Sequence, residues 1–355
     1  MLAATALLVT RDESLLEDIL RLAAAAGVTL DVAHDAVAAM RAWSSAPVVL
    51  VGADQLAAVA AHQPVRREQV HVVAVGQVPD RLFRAALAVG AGQVAELPAA
   101  EGWVVELLTD TADGVARRAL TVGVVGGSGG SGATTFAAAL ALTATIRGGP
   151  GILIDADPLG GGIDRVVGLE DRDGIRWDSL ERSSGRFSSR SLREALPQKD
   201  GLAVLTWSSG PRPATDGAAA REVLSAAQRG HDTVIIDLPR YLDAVAADLL
   251  ARCSHLVLVA ALTVPAVAAA SRVAARLRES AVRLLLVTRG GATALSAEEV
   301  SRALDVPLAA AMRHQRRLAE SVDLGLGPVH SRRGPLARAA EAALDQMAGS
   351  TASET

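Results

Sequence analysis

The sequence predicts an α/β protein of two successive units with mainly parallel sheets. Three features carry that expectation. Short apolar runs alternate with helical patterns over the first 113 residues. An apolar run then meets a glycine-rich turn and a helix-forming stretch in "VVGGSGGSGATTFAAALAL", residues 124–142. Two later apolar runs, "GILIDADP" and "DTVIIDLP", end in aspartates. At 355 residues the chain is too long for one ordinary domain and comfortable for two.

In the first half, "ALLVT" reads as a strand and "SLLEDILRLAAAAG" as a helix, with a capping box from Ser14 to Glu17 and Gly27 as its stop. "VTLDVA" is a second strand. "PVVLVG" is a third, continuously apolar as buried parallel strands are. "VHVVAVG" and "GQVAEL" follow, separated by the helical "DRLFRAALAVGA". Five strands with intervening helices describe a flavodoxin-like, doubly wound domain. The small, polar and basic residues of "DTADGVARRAL" mark a boundary.

This half resembles a response-regulator receiver in its frame. A receiver carries an acidic pair after strand one, a phosphoacceptor aspartate at the end of strand three and a lysine after strand five. Asp12 and Glu13 match the pair, although any loop start can be acidic. Gly52 stands near the acceptor position with Asp54 beyond it, and Leu97 and Pro98 stand where the lysine would be. The resemblance implies a degenerate receiver that docks rather than takes phosphate.

The second half opens on a phosphate-binding loop of the form G-x-x-x-x-G-K-[ST]. Gly127 and Gly132 fill the glycine positions and Thr134 the threonine, but Ala133 fills the lysine position. Asp155 and Asp157 end one apolar run and Asp237 another. "HLVLVAALTVPAVAAASRVAARL" and "VRLLLVTRGG" supply further strands. Acidic residues at the carboxyl ends of parallel strands beside a glycine loop would surround a Mg²⁺–nucleotide.

These ordered motifs resemble the MinD/ParA family of deviant Walker-box ATPases over residues 120–348. With the degenerate receiver, they look most like its CpaE/TadZ branch, and within it the actinobacterial CpaE-like septum site-determining proteins. The resemblance implies a receiver-like docking domain over 1–113, a linker over 114–119, a MinD/ParA-like P-loop domain over 120–348 and a disordered tail over 349–355. It places ATP or ADP on the loop formed by Gly127, Ser128, Gly129, Gly130, Ser131, Gly132, Ala133, Thr134 and Thr135. It assigns Mg²⁺ to Thr134 and, through water, to Asp237. It makes Asp157 the residue that orients the attacking water, with Asp155 beside it. Both family lysines are missing: the P-loop position is Ala133 and the cross-dimer position is Ser128. Thr288 stands where the family often has an adenine-reading asparagine. Nucleotide binding is therefore expected to be weak and not required for folding. Efficient hydrolysis is not expected unless an arginine from a partner enters the site; an arginine of the chain such as Arg165 is instead a candidate to close the loop over an empty site.

Composition limits the alternatives. Half of the chain is hydrophobic and only 2% aromatic, so the core must be built from Ala, Val and Leu. Lys199 is the only lysine, and the net charge is −4. That charge argues against a protein coating nucleic acid. "RHQRR" (Arg313, Arg316, Arg317) and "HSRRG" (Arg332, Arg333) read as solvated faces or protein contacts rather than a DNA surface. His314 and His330 lack metal-ligand spacing. Trp43, Trp103, Trp177 and Trp207 are too scattered for a stacking platform. The lone Cys253 reads as packing and excludes an internal disulfide. No signal peptide, membrane-length apolar run or basic amphipathic C-terminal helix is read, so a cytoplasmic location with recruitment through a partner is expected.

Two functions remain. One is a non-enzymatic or weakly active positioning protein, a homodimer serving septum-site determination or a Tad-type pilus-secretion machine through protein partners. The other is an ATP-hydrolysing switch that cycles between monomer and dimer.

Overall fold

Parallel strands that are apolar on both faces need helices on both sides, and both halves of the chain follow that rule. The computed structural model describes residues 5–79, 82–112, 119–180, 189–208, 217–290, 295–329 and 333–351. The chain divides into two units, Met1–Arg117 and Arg118–Thr355.

In the first unit, β1 (Ala6–Val9), β2 (Leu30–Ala33), β3 (Val49–Gly52), β4 (Val70–Val75) and β5 (Gln93–Leu97) form one parallel sheet in the order β2-β1-β3-β4-β5. Leu7, Val9, Val49 and Val51 pack on one face, and Leu8, Leu50 and Val73 on the other. This is the flavodoxin-like arrangement that the strand alternation predicts. One detail differs. The first helix is Glu13–Ala26, and its cap is Asp12, whose carboxylate accepts from the Ser14 and Leu15 amides at 2.9 and 3.2 Å. An aspartate both satisfies free amides and complements the helix dipole, so Ser14 falls inside the first turn. Gly27 ends the helix at φ 70°, as expected.

In the second unit, eight strands form one sheet: β6 (Leu120–Gly126), β7 (Gly151–Asp155), β8 (Gln198–Lys199), β9 (Leu202–Leu205), β10 (Thr233–Leu238), β11 (His255–Ala261), β12 (Arg283–Arg289) and β13 (Leu308–Met312). Their order is β13-β12-β11-β6-β10-β7-β9-β8, and only β8 runs antiparallel to its neighbour. The glycine loop leaves the carboxyl end of the central β6 and enters the helix Ala133–Arg147. Phe136, Leu140 and Ala144 of that helix share a core with Leu336, Ala340, Ala343 and Met347 of the C-terminal helix Pro335–Thr351. The apolar face of the last helix is thus spent inside its own unit. The helix also runs to Thr351, into the segment expected to be tail. Trp177 and Trp207 do stack, with centroids 5.7 Å apart, but both are buried and offer no platform to a ligand. Cys253 is buried, and burial pushes its thiol up to about 12, which fits packing. Among the described residues no helix is long and apolar enough to cross a membrane.

Candidate nucleotide site

The loop after β6 has the backbone that phosphate binding needs. Gly130 and Gly132 adopt φ of 68° and 90°, conformations that a side chain resists. Gly127 donates its N–H to Val259 O at 2.9 Å, and a Cβ there would lie 2.6 Å from the Ala270 methyl. The loop is therefore seated against β11 and its following helix with no room for a larger residue. Gly132 caps the helix Ala133–Arg147 without any side-chain hydrogen bond. The first amides of a 15-residue helix are thus left to another acceptor, which is how helix N-termini bind anions.

The aspartates converge beside this loop. Asp155 and Asp237 are register partners at the ends of β7 and β10. The Thr134 side chain lies near the Asp237 carboxylate and favours its charged form. Asp237 is buried; that burial pushes its carboxyl up to about 7, the nearby Thr134 side chain opposes the shift, and repulsion from Asp155 and Asp157 adds to it. Asp155 is pushed up to about 6, again chiefly by burial. Its oxygens accept from Thr206 Oγ1 at 2.8 Å, the Asp157 N–H at 3.1 Å and the Ile163 N–H at 3.2 Å, while Trp177 Nε1 donates to its backbone oxygen at 2.8 Å. Asp155 therefore anchors the loop after β7. Asp157, on that loop and half-buried, accepts from the Leu159 N–H at 3.0 Å. Among the described residues no group of three or more His, Cys, Asp or Glu could hold a metal unaided. A Thr134–Asp237 pair fits a Mg²⁺ ion that takes its remaining ligands from phosphate and water.

Over the loop opens a cleft of about 740 Å³. Gly130, Gly132 and Thr135 form its loop side, Leu262, Met312 and Leu318 give it apolar wall, and Arg289, Arg313 and Arg317 bring positive charge against the single carboxylate of Asp323. Arg289, the last residue of β12, donates from Nη1 to Gly130 O at 2.8 Å. The arginine on the loop is thus Arg289; Arg165 donates to Gly161 O in the loop after β7. Four residues of the "RHQRR" stretch, Arg313, His314, Gln315 and Arg317, line this cleft rather than a separate surface. Arg316 and Arg333 are exposed, and His330 and Arg332 lie outside the described residues. Thr288 is wholly buried with its hydroxyl unpartnered, so it faces the core. The sequence signal for Arg289 was a cation placed between a buried strand and two glycines in "LLLVTRGG".

The receiver-like corner is arranged differently. Asp54 folds back over Gly52, accepting from Thr10 Oγ1 at 2.9 Å and the Arg11 N–H at 2.8 Å. A Cβ on Gly52 would lie 2.3 Å from Asp54 Oδ1 and 2.9 Å from Thr10 Oγ1. Asp12 is engaged as a helix cap, Glu13 is exposed, and Leu97 is buried ahead of Pro98.

Comparison with known proteins agrees with this division. Residues 9–119 match the family described as Rv3660c-like, CheY-like N-terminal domain. The P-loop unit shares its fold with the MinC:MinD cell division protein complex of Aquifex aeolicus, at a TM-score of 0.54 and 20% identity over 65% of this chain and 96% of that one. It is similarly like the septum site-determining protein MinD complexed with Mg-ADP from Pyrococcus horikoshii OT3, at 0.53 and 21% over 64% and 97%. The class is therefore a CheY-like domain followed by a MinD-like P-loop α/β domain. Over 343 residues the chain is 36% identical to the uncharacterized protein Rv3660c of Mycobacterium tuberculosis (strain H37Rv), covering 94% of this chain and 95% of that protein. It belongs to the Rv3660c family.

Proposed function

We propose that this protein is a MinD-like positioning factor that binds ADP or ATP with Mg²⁺ weakly and hydrolyses it slowly or not at all. The observation that carries this reading is a complete backbone cradle, with uncapped helix amides and a Thr134–Asp237 pair, whose two lysine positions hold Ser128 and Ala133. The backbone and Thr134 suffice to hold phosphate and Mg²⁺, whereas phosphoryl transfer needs charge neutralised in the transition state. Asp157 is the candidate for orienting water. The receiver-like domain over 1–113 serves as a docking module, since Asp54 and Gly52 leave no free acceptor. Residues 114–119 act as the linker to the P-loop domain over 120–348. The reading extends to a homodimer of the CpaE/TadZ kind, acting through protein partners in septum-site determination or in localising a Tad-type secretion machine. It is supported by the MinD-like fold and by the spent apolar face of the C-terminal helix, which leaves recruitment to a partner.

The alternative, a working ATPase switch, is favoured by the positive charge in the cleft. Calorimetric titration with ADP and ATP, with and without Mg²⁺, alongside phosphate release by wild type and Asp157→Ala, separates the two. Micromolar or weaker binding with negligible release is expected. Substantial release abolished by Asp157→Ala would establish the switch instead, and no binding would end both readings.

A further inference from the structure

We infer that Arg289 is the phosphate-binding cation of this cleft, doing from β12 what neither Ser128 nor Ala133 can do from the loop. The inference rests on the nucleotide reading above and adds to it the residue that supplies the charge. Arg289 Nη1 already lies on the loop, donating to Gly130 O at 2.8 Å, and stands 3.3 Å from where a Cβ on Gly132 would be. β12 lies two strands from β6, so the guanidinium reaches the loop from across β11.

Three further observations make this contact more than packing. Arg289 is exposed at the mouth of the cleft and, among the described residues, forms no ion pair. A solvent-facing guanidinium on a neutral carbonyl has donors left for a stronger acceptor, and phosphate oxygens match its planar fork. The cleft also collects three arginines against one aspartate in a chain whose net charge is −4, so positive charge is concentrated there against the overall balance. Finally, Ala133 packs at the edge of the core, so its position contributes no charge to the loop. Arg313 and Arg317 line the same cleft, and Arg317 is engaged with Glu320 at 3.6 Å. Of the three, Arg289 is the one bonded to the loop.

An arginine in this role has a consequence that a P-loop lysine lacks. Without ligand it ties the end of β12 to the crest of the loop. With a di- or triphosphate it exchanges the Gly130 carbonyl for phosphate oxygens. The ligand class is therefore a nucleoside polyphosphate, recognised through its phosphates.

The test is calorimetric titration of the full chain with ADP, inorganic triphosphate and adenosine, for wild type, Arg289→Ala, Arg289→Gln and the double variant Arg289→Ala/Ala133→Lys. Loss of charge-assisted hydrogen bonds should weaken ADP and triphosphate by about 10–100-fold in both single variants. Adenosine binding should be unchanged, and the double variant should regain affinity for the phosphates. Arg289→Gln keeps a donor for Gly130 O without the charge, so it carries the test should the alanine variant fail to fold. Equal ADP binding by wild type and the single variants would overturn the role of Arg289 and leave nucleotide binding standing. An equal loss for adenosine would reduce Arg289 to a shaper of the cleft and overturn the proposal. No ADP or triphosphate binding by wild type would overturn both.

Discussion

Replacing Asp237 by Asn should stabilise the ligand-free protein at neutral pH. Asp237 is 4% exposed, and its carboxyl is pushed up to about 7 from an ordinary 3.8. The folded state therefore holds a proton that the unfolded chain releases between about pH 4 and 7. Stability then falls as pH rises through that window, and the cost is complete above about pH 7. A shift of roughly 3 units corresponds to roughly 4 kcal/mol. Asparagine keeps the shape and a side-chain oxygen but carries no charge to desolvate. The midpoint of the P-loop unit should rise by roughly 8–16 °C at pH 7.5, at about 2–4 °C per kcal/mol for a unit of this size. At pH 4 the two proteins should coincide. Thermal unfolding followed by circular dichroism from pH 4 to 8, without Mg²⁺, reads this directly, and the wild-type-minus-variant difference removes the slope contributed by Asp155, also pushed up, to about 6. Mg²⁺ with ADP should stabilise wild type more than the variant. An Asn variant less stable than wild type at pH 7.5, or a difference that does not vary with pH, would show that Asp237 is not a desolvated carboxylate held at a cost.

Gly52→Ala should destabilise the first unit by about 1–3 kcal/mol. Its methyl would stand 2.3 Å from Asp54 Oδ1 and drive that carboxylate off Thr10 and the Arg11 N–H; an unchanged melting temperature would refute the packing argument. Trp177→Phe should cost about 1–3 kcal/mol by removing the indole donor to Asp155 O in a buried site, as checked by urea unfolding, while ADP affinity should fall less than in Arg289→Ala.

Most of the fold was legible because its signals are local. Apolar runs ended by glycine or aspartate, such as "PVVLVG" and "GILIDADP", became β3 and β7, and Gly27 ended the helix that its spacing predicts. The capping box at Ser14 was misread because Asp12 two residues earlier offers a stronger acceptor at the same turn. The loop glycines and the three aspartates were legible as a motif, but their division of labour was not. Thr206 and Trp177 come from distant points of the chain to engage Asp155, which the nearby Ile163 N–H also meets. Arg289 was missed as a site residue for the same reason: its local signal in "LLLVTRGG" does not show that it meets Gly130, 159 residues away.

The two glycine-bearing corners, at Gly52 and at the loop after β6, share a pattern with opposite chemical results. In each, a small residue, Gly52 or Ala133, stands at the corner, and a charged group from elsewhere comes to lie at that corner. At Gly52 the incoming group is the Asp54 carboxylate, met by a hydroxyl and a backbone N–H of the adjoining strand end. Those neutral donors satisfy the anion locally, and a cation such as Mg²⁺ would have to displace them. At Ala133 the incoming group is the Arg289 guanidinium, resting on a single loop carbonyl at the edge of a cleft of about 740 Å³. A carbonyl is a weaker acceptor than phosphate, and the cleft has room for the larger ligand. The first substitution closes a site and the second leaves one receptive.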